Sequence, residues 1–153
     1  ALANIFYSRN DIFFIGRGLD SCVSYEGSLK LKEVSYINSL AITAGELKHG
    51  TIALVEDDTL IFALASQDFL FEKMLSNIEE VKTRGARVVG IAKKSQNAIQ
   101  SKADEVIFIP DCADEITPLL TVVPLQLFAY YVAKRRGTNV DKPKNLAKSV
   151  TVE

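Results

Sequence analysis

Four short runs constrain what this chain can fold into: DIFFIG (11–16), TLIFALA (59–65), ARVVGIA (86–92) and EVIFIP (105–110). Each is nearly all apolar and rich in β-branched or aromatic side chains. Runs without polar alternation describe strands covered on both faces. Amphipathic stretches near 20–38, 69–84, 95–102 and 117–136 separate them, and a weaker fifth strand is expected at LAITA, 40–44. Strand–helix alternation with short connections predicts an α/β fold, a parallel sheet with helices on both faces. Gly85, the last residue of TRG, stands just past a helix end, and Thr117-Pro118 reads as an N-cap with Pro at the first helical position. Pro124 should kink or restart that last helix. Residues 137–153, GTNVDKPKNLAKSVTVE, form a polar tail without periodicity.

The 153 residues suit one domain. Eighteen Lys and Arg against nineteen Asp and Glu, with no long basic block, argue against nucleic-acid binding. No apolar run near the eighteen or so residues of a membrane span is read in the chain. The start, ALANIFYSRND, has neither an initiator Met nor a signal-peptide pattern, so the chain reads as a piece of something longer. Cys22 and Cys112 have no metal-type spacing and make no disulfide framework, so the expected setting is a reducing cytoplasm.

Three constellations can carry chemistry. IGRGLDS places Gly16 and Gly18 between a strand and a helix, where backbone N–H groups suit an anion. Ser21 stands where a dinucleotide fingerprint needs its third Gly, and a plain tight turn fits equally well. EGSLKLKE (26–33) puts Glu26, Lys30 and Glu33 on one narrow helical stripe, with Lys30 at roughly 40° and Glu33 at roughly −20° from Glu26. Cys22, Val23, Leu29, Val34, Tyr36 and Ile37 fall beside that stripe, while Asp20, Ser21, Ser24, Ser28, Ser35 and Asn38 fall opposite, with Leu31 the one large apolar side chain there. The stripe is therefore expected in the middle of the buried face, as a site or as a structural ion-pair network. His49, the single His, lies in AGELKHG. It is either an exposed loop residue or a proton carrier. A tail lysine held in an ordered, desolvated place can act as a Schiff-base nucleophile.

The segments IGRG, EGSLKLKEVSYI, AGELKHG, NIEEVKTRG and TVVPLQLFAYYVAKRRGTNVDKPKNLAKSVTVE together resemble the C-terminal end of the glutamine–fructose-6-phosphate aminotransferases (isomerizing), over nearly the whole chain. The resemblance implies a three-layer αβα sandwich with a five-stranded parallel sheet. This is the flavodoxin-like SIS domain, the second of two in the full enzyme. It divides the chain into a domain at 1–136 and a tail at 137–153 that covers the active site. That family makes glucosamine 6-phosphate from fructose 6-phosphate and glutamine. It does so with an N-terminal glutaminase domain, and a first SIS domain whose Ser/Thr-rich loop holds the phosphate. The resemblance also implies roles. Lys148 forms the Schiff base with the open-chain ketose, and Glu33 moves a proton between C1 and C2. Glu26 and Lys30 orient and polarise the site, and His49 serves the neighbouring subunit of a homodimer by helping to open the ring. No cofactor, metal, nucleic acid or membrane is called for, and the chain alone is expected to be inactive. Lys144 departs from the Arg of some members, which keeps the charge but not the bidentate fork. Two rivals predict other residues. A non-enzymatic sugar-phosphate-binding domain has no use for Glu33 with Lys148, and a nucleotide-binding domain requires the missing third Gly.

Overall fold

The computed structural model describes residues 2–146. The apolar runs form β1 (Asp11–Gly16), β3 (Leu60–Leu64), β4 (Arg87–Lys93) and β5 (Glu105–Ile109), and the weak run forms β2 (Asn38–Thr43). All pairings are parallel, in the order β2-β1-β3-β4-β5. Ile12 of β1 pairs with Ser39 on one side and Leu60 on the other, so the central strands are covered laterally as well as on both faces.

Successive side chains of a strand point to opposite faces, and two cores follow from that. Ile12, Phe14, Leu60, Phe62 and Leu64 point to one face, covered by α1 (Leu2–Phe6), α2 (Leu19–Ser35) and α4 (Thr117–Arg136). Phe13, Ile15, Ile61 and Ala63 point to the other, covered by α3 (Phe71–Lys82) and a 3₁₀ segment, Ala44–His49. The result is the three-layer sandwich.

Four readings need correction. The stretch 95–102 is a short 3₁₀ turn, Asn97–Ser101, rather than an α-helix. Helix α4 runs through Pro124 without a restart, because Thr121, Leu125 and Phe128 pack on either side of the lost hydrogen bond. Thr117 does not cap it: its hydroxyl donates back to the Asp114 carbonyl at 2.8 Å. Residues 116–133 carry no charge, so α4 is long and apolar enough to cross a membrane by length and composition. Its inner stripe, Leu125, Phe128, Ala129 and Val132, is core, which accounts for part of that apolarity. The outer stripe, Leu119, Val123, Leu127 and Tyr131, is exposed.

Candidate active site on helix α2

Helix α2 faces the opposite way from the wheel reading. Its buried residues are Asp20, Ser21, Val23, Ser24, Gly27, Ser28, Leu31 and Ser35. The serines spend their hydroxyls locally. Ser24 donates to the Asp20 carbonyl at 2.8 Å, Ser35 to the Leu31 carbonyl at 2.6 Å, and Ser28 and Ser39 share a bond at 3.0 Å. Small, self-satisfied side chains let the helix lie close on the sheet. Gly27 marks the tightest point, since a Cβ there would lie 2.6 Å from Leu125 Cδ1 and 3.2 Å from Phe14.

The charged stripe is therefore on the outward side, half-buried rather than sequestered. Lys30 Nζ lies 2.6 Å from Glu33 Oε2 and 3.8 Å from Glu26 Oε1, with side-chain exposures of 33% for Lys30, 25% for Glu33 and 39% for Glu26. Its bond to Glu33, with the charge of Glu26 added, holds the Lys30 pKa above the ordinary lysine value. Lys30 thus stays cationic and fixes one oxygen of Glu33. Among the described residues nothing donates to the other oxygen. Tyr25 and Leu29, both exposed, flank the stripe.

His49 is not brought to this stripe. It closes the segment Ala44–His49, whose Ala44 and Leu47 sit in the core on the far face of the sheet. Its side chain is 75% exposed, with Nε2 3.9 Å from Glu46. Lys148 lies outside the described residues. Of the other tail lysines, Lys142 is exposed, while Lys144 reaches back to Tyr36 at the end of α2. Cys22 and Cys112 are free thiols.

The glycine turn is filled by the protein itself. Gln67 Oε1 accepts the Leu19 N–H at 2.8 Å, occupying the N-terminus of α2 where an anion was one option. Gly18, at φ 55°, leaves no room there for a Cβ. Beneath it Asp20 accepts from the Ser66 N–H at 2.7 Å and the Ser66 hydroxyl at 2.6 Å. Further along the same sheet edge, Lys93, 2% exposed, bridges Asp114 at 2.6 Å and Asp68 at 2.9 Å. Burial alone would push the Lys93 ammonium down, but the bonds and charges of Asp114 and Asp68 outweigh it and hold its pKa up. The sequence reading missed this polar cluster. Its one signal was a lysine ending the apolar run ARVVGIAK.

Burial raises the Asp20 pKa, and the bonds from Ser66 offset this only in part. The folded chain therefore binds a proton more tightly than the unfolded chain. Stability from this group is full below the ordinary aspartate value of about 3.9 and is lost as pH rises through the higher folded value. Asp20→Asn keeps an acceptor for Ser66 and removes the titration. In urea titrations its stability relative to the parent should climb over that range and then level off. Asp20→Leu, which strands two buried donors, should cost about 1–3 kcal/mol. A pH-independent difference between Asp20→Asn and the parent would contradict this reading.

A family profile described as the SIS domain matches residues 5–134. The chain belongs to the SIS domain family. This SIS domain is 65% identical over 147 residues, 96% of its length, to glutamine–fructose-6-phosphate aminotransferase (isomerizing) of Caldanaerobacter subterraneus subsp. tengcongensis. It is 55% identical over 152 residues to the protein of that name in Clostridium tetani. Among solved structures it is similar to the C-terminal domain of glucosamine-fructose-6-phosphate aminotransferase from Francisella tularensis. That likeness has a TM-score of 0.84 at 37% identity, over 92% of this chain and 40% of that one. The SIS domain spans about a quarter of the length of these two curated relatives.

Proposed function

We propose that this SIS domain is the C-terminal isomerase unit of a glutamine–fructose-6-phosphate aminotransferase. With the rest of that protein it turns fructose 6-phosphate and glutamine into glucosamine 6-phosphate and glutamate. The observation that carries the reading is the ion-paired stripe on α2, with one oxygen of Glu33 held by Lys30 and the other without a donor among the described residues. Moving a proton between C1 and C2 of a ketose needs a carboxylate close to both carbons, oriented but still able to accept. Glu33 meets that description, and Glu26 and Lys30 orient and polarise it. The Lys148 amine adds to the C2 carbonyl and loss of water leaves an imine; ammonia from glutamine then adds to C2 and expels the Lys148 amine, leaving the sugar's own imine at C2. The imine also acidifies the proton on C1. Glu33 takes that proton and returns it to C2.

The exposed outer side chains Leu119, Val123, Leu127 and Tyr131 of α4 form an apolar surface of the kind that marks an interface. It suits packing against the first SIS domain, whose loop supplies the phosphate site. His49, exposed and directed away from this chain's own stripe, suits service to a second subunit of a homodimer in the cytoplasm. Residues 137–153 form a separate tail over the site.

Glu33→Gln in the full-length protein tests this reading. Turnover to glucosamine 6-phosphate should fall about 10²–10⁴-fold, the usual worth of a general base, with KM for fructose 6-phosphate little changed. A variant that keeps more than about a tenth of the turnover would remove Glu33 from the role.

A further inference from the structure

Helix α2 ends in an unusual way. Tyr36, its C-cap, has φ 58° and ψ 24°, the left-handed region that a bulky aromatic residue seldom enters. That turn directs the ring and hydroxyl of Tyr36 onto the chain that follows α4. Tyr36 Oη accepts the Lys144 N–H at 2.7 Å, and Lys144 Nζ lies 4.5 Å from the centre of the Tyr36 ring. A second tie precedes it. Gly137, at φ 71°, turns the chain out of α4, and the Thr138 hydroxyl then donates to the Val34 carbonyl at 2.6 Å. Between the two ties, Asn139 Oδ1 accepts the N–H groups of Asp141 and Lys142, each at 3.0 Å, folding the segment on itself.

These contacts fix the segment 137–146 to the last turn of α2. Glu33 stands about one helical turn before Tyr36. Four residues carry the chain from Lys144 to Lys148, a reach of about 13–14 Å at full extension. The anchor thus fixes where the chain leading to Lys148 leaves the described segment, at the end of α2. We infer that Tyr36 is a positioning residue: its hydroxyl and ring clasp Lys144 and so set the point, about one turn from Glu33, from which the chain runs on to Lys148. The inference rests on the functional reading above and adds to it a residue that touches neither substrate nor proton. Thr138 is the backbone tie and Tyr36 the side-chain clasp. The Lys144 side chain contributes its charge over the ring while its amide contributes the hydrogen bond.

The test uses the full-length protein, fructose 6-phosphate as probe and borohydride to trap the sugar–lysine imine. Tyr36→Phe keeps the ring and loses the hydroxyl acceptor. Its trapping rate and kcat should fall about 5-fold, the worth of one hydrogen bond. Tyr36→Leu loses both contacts and should fall further, by about 10–30-fold. Lys144→Ala, which keeps its amide, should fall only about 3-fold. In all three KM for fructose 6-phosphate should stay near the parent value, because the clasp sets the nucleophile and not the sugar. Circular dichroism gives the folded fraction, and if Tyr36→Leu does not fold, Tyr36→Phe decides. Trapping and kcat that are unchanged, or that fall only with the folded fraction, would overturn the assignment of Tyr36 alone. No trapping at Lys148 in the parent protein would overturn the functional reading, and this inference with it.

Discussion

Replacing Lys148 by alanine in the full-length protein is expected to abolish glucosamine 6-phosphate synthesis while glutamine hydrolysis continues. On the proposed function the two activities separate, because hydrolysis of glutamine belongs to another domain, whereas nitrogen enters the sugar at C2. Without an amine to form the imine, the ketose carbonyl is a poor acceptor and its neighbouring proton a weak acid. Borohydride should add hydride to C2 of the imine and fix fructose 6-phosphate covalently on the parent protein, and on the variant not at all. Lysine at this place needs a lowered pKa, from desolvation or a nearby cation, to be nucleophilic at neutral pH. Trapping that persists in the variant at another lysine would mean that the nucleophile lies elsewhere.

Phe62→Ala should damage the fold more than any other single truncation of the core. Phe62 is fully buried on the central strand β3, stacked on Phe14 at 5.2 Å and tilted against Phe128 at 4.6 Å. Through these rings it joins β1, β3 and α4 in one core. Removing the ring forfeits its transfer energy and leaves a cavity that three rigid neighbours cannot close. The expected loss is about 3–5 kcal/mol, a large share of the roughly 5–15 kcal/mol that keeps a domain folded. Urea titration of this chain measures it directly. A loss under about 1 kcal/mol would mean that the core relaxes around the gap.

The strands were legible because burial on both faces leaves a mark no other element leaves in so few residues. DIFFIG and TLIFALA have no polar position after the first, Asp11 or Thr59, to mislead. Even NSLAIT, the edge strand β2, declared itself through its apolar half. Helix α2 was legible as a helix but not in its orientation. A helical wheel counts serine as polar and sends it to water, yet here Ser24, Ser28 and Ser35 satisfy themselves within the helix or on Ser39 and become the packing face. Size, not polarity, decided which side met the sheet. Helix α1, five residues long, is too short to show a period. The spacing of Glu26, Lys30 and Glu33 foretold their ion pairs correctly, since i,i+3 and i,i+4 neighbours meet on any helix. That Lys93 would be buried between Asp68 and Asp114 was not legible, because those partners are 25 and 21 residues away along the chain. The roles of Lys148 and His49 came from resemblance alone, as neither has a local pattern that marks it.

One measurement bears most directly on the claim that the α2 stripe is a proton-transfer face: a crystal structure of the full-length protein with fructose 6-phosphate. The expected result places the Glu33 carboxylate within about 3.5 Å of C1 and C2, a near-attack distance, with continuous density from C2 to Lys148 Nζ. Open parallel sheets more often bind ligands at the carboxyl ends of their strands. A sugar seated there, beside Ser66, Gln67 and Lys93, with Glu33 facing solvent, would contradict the claim.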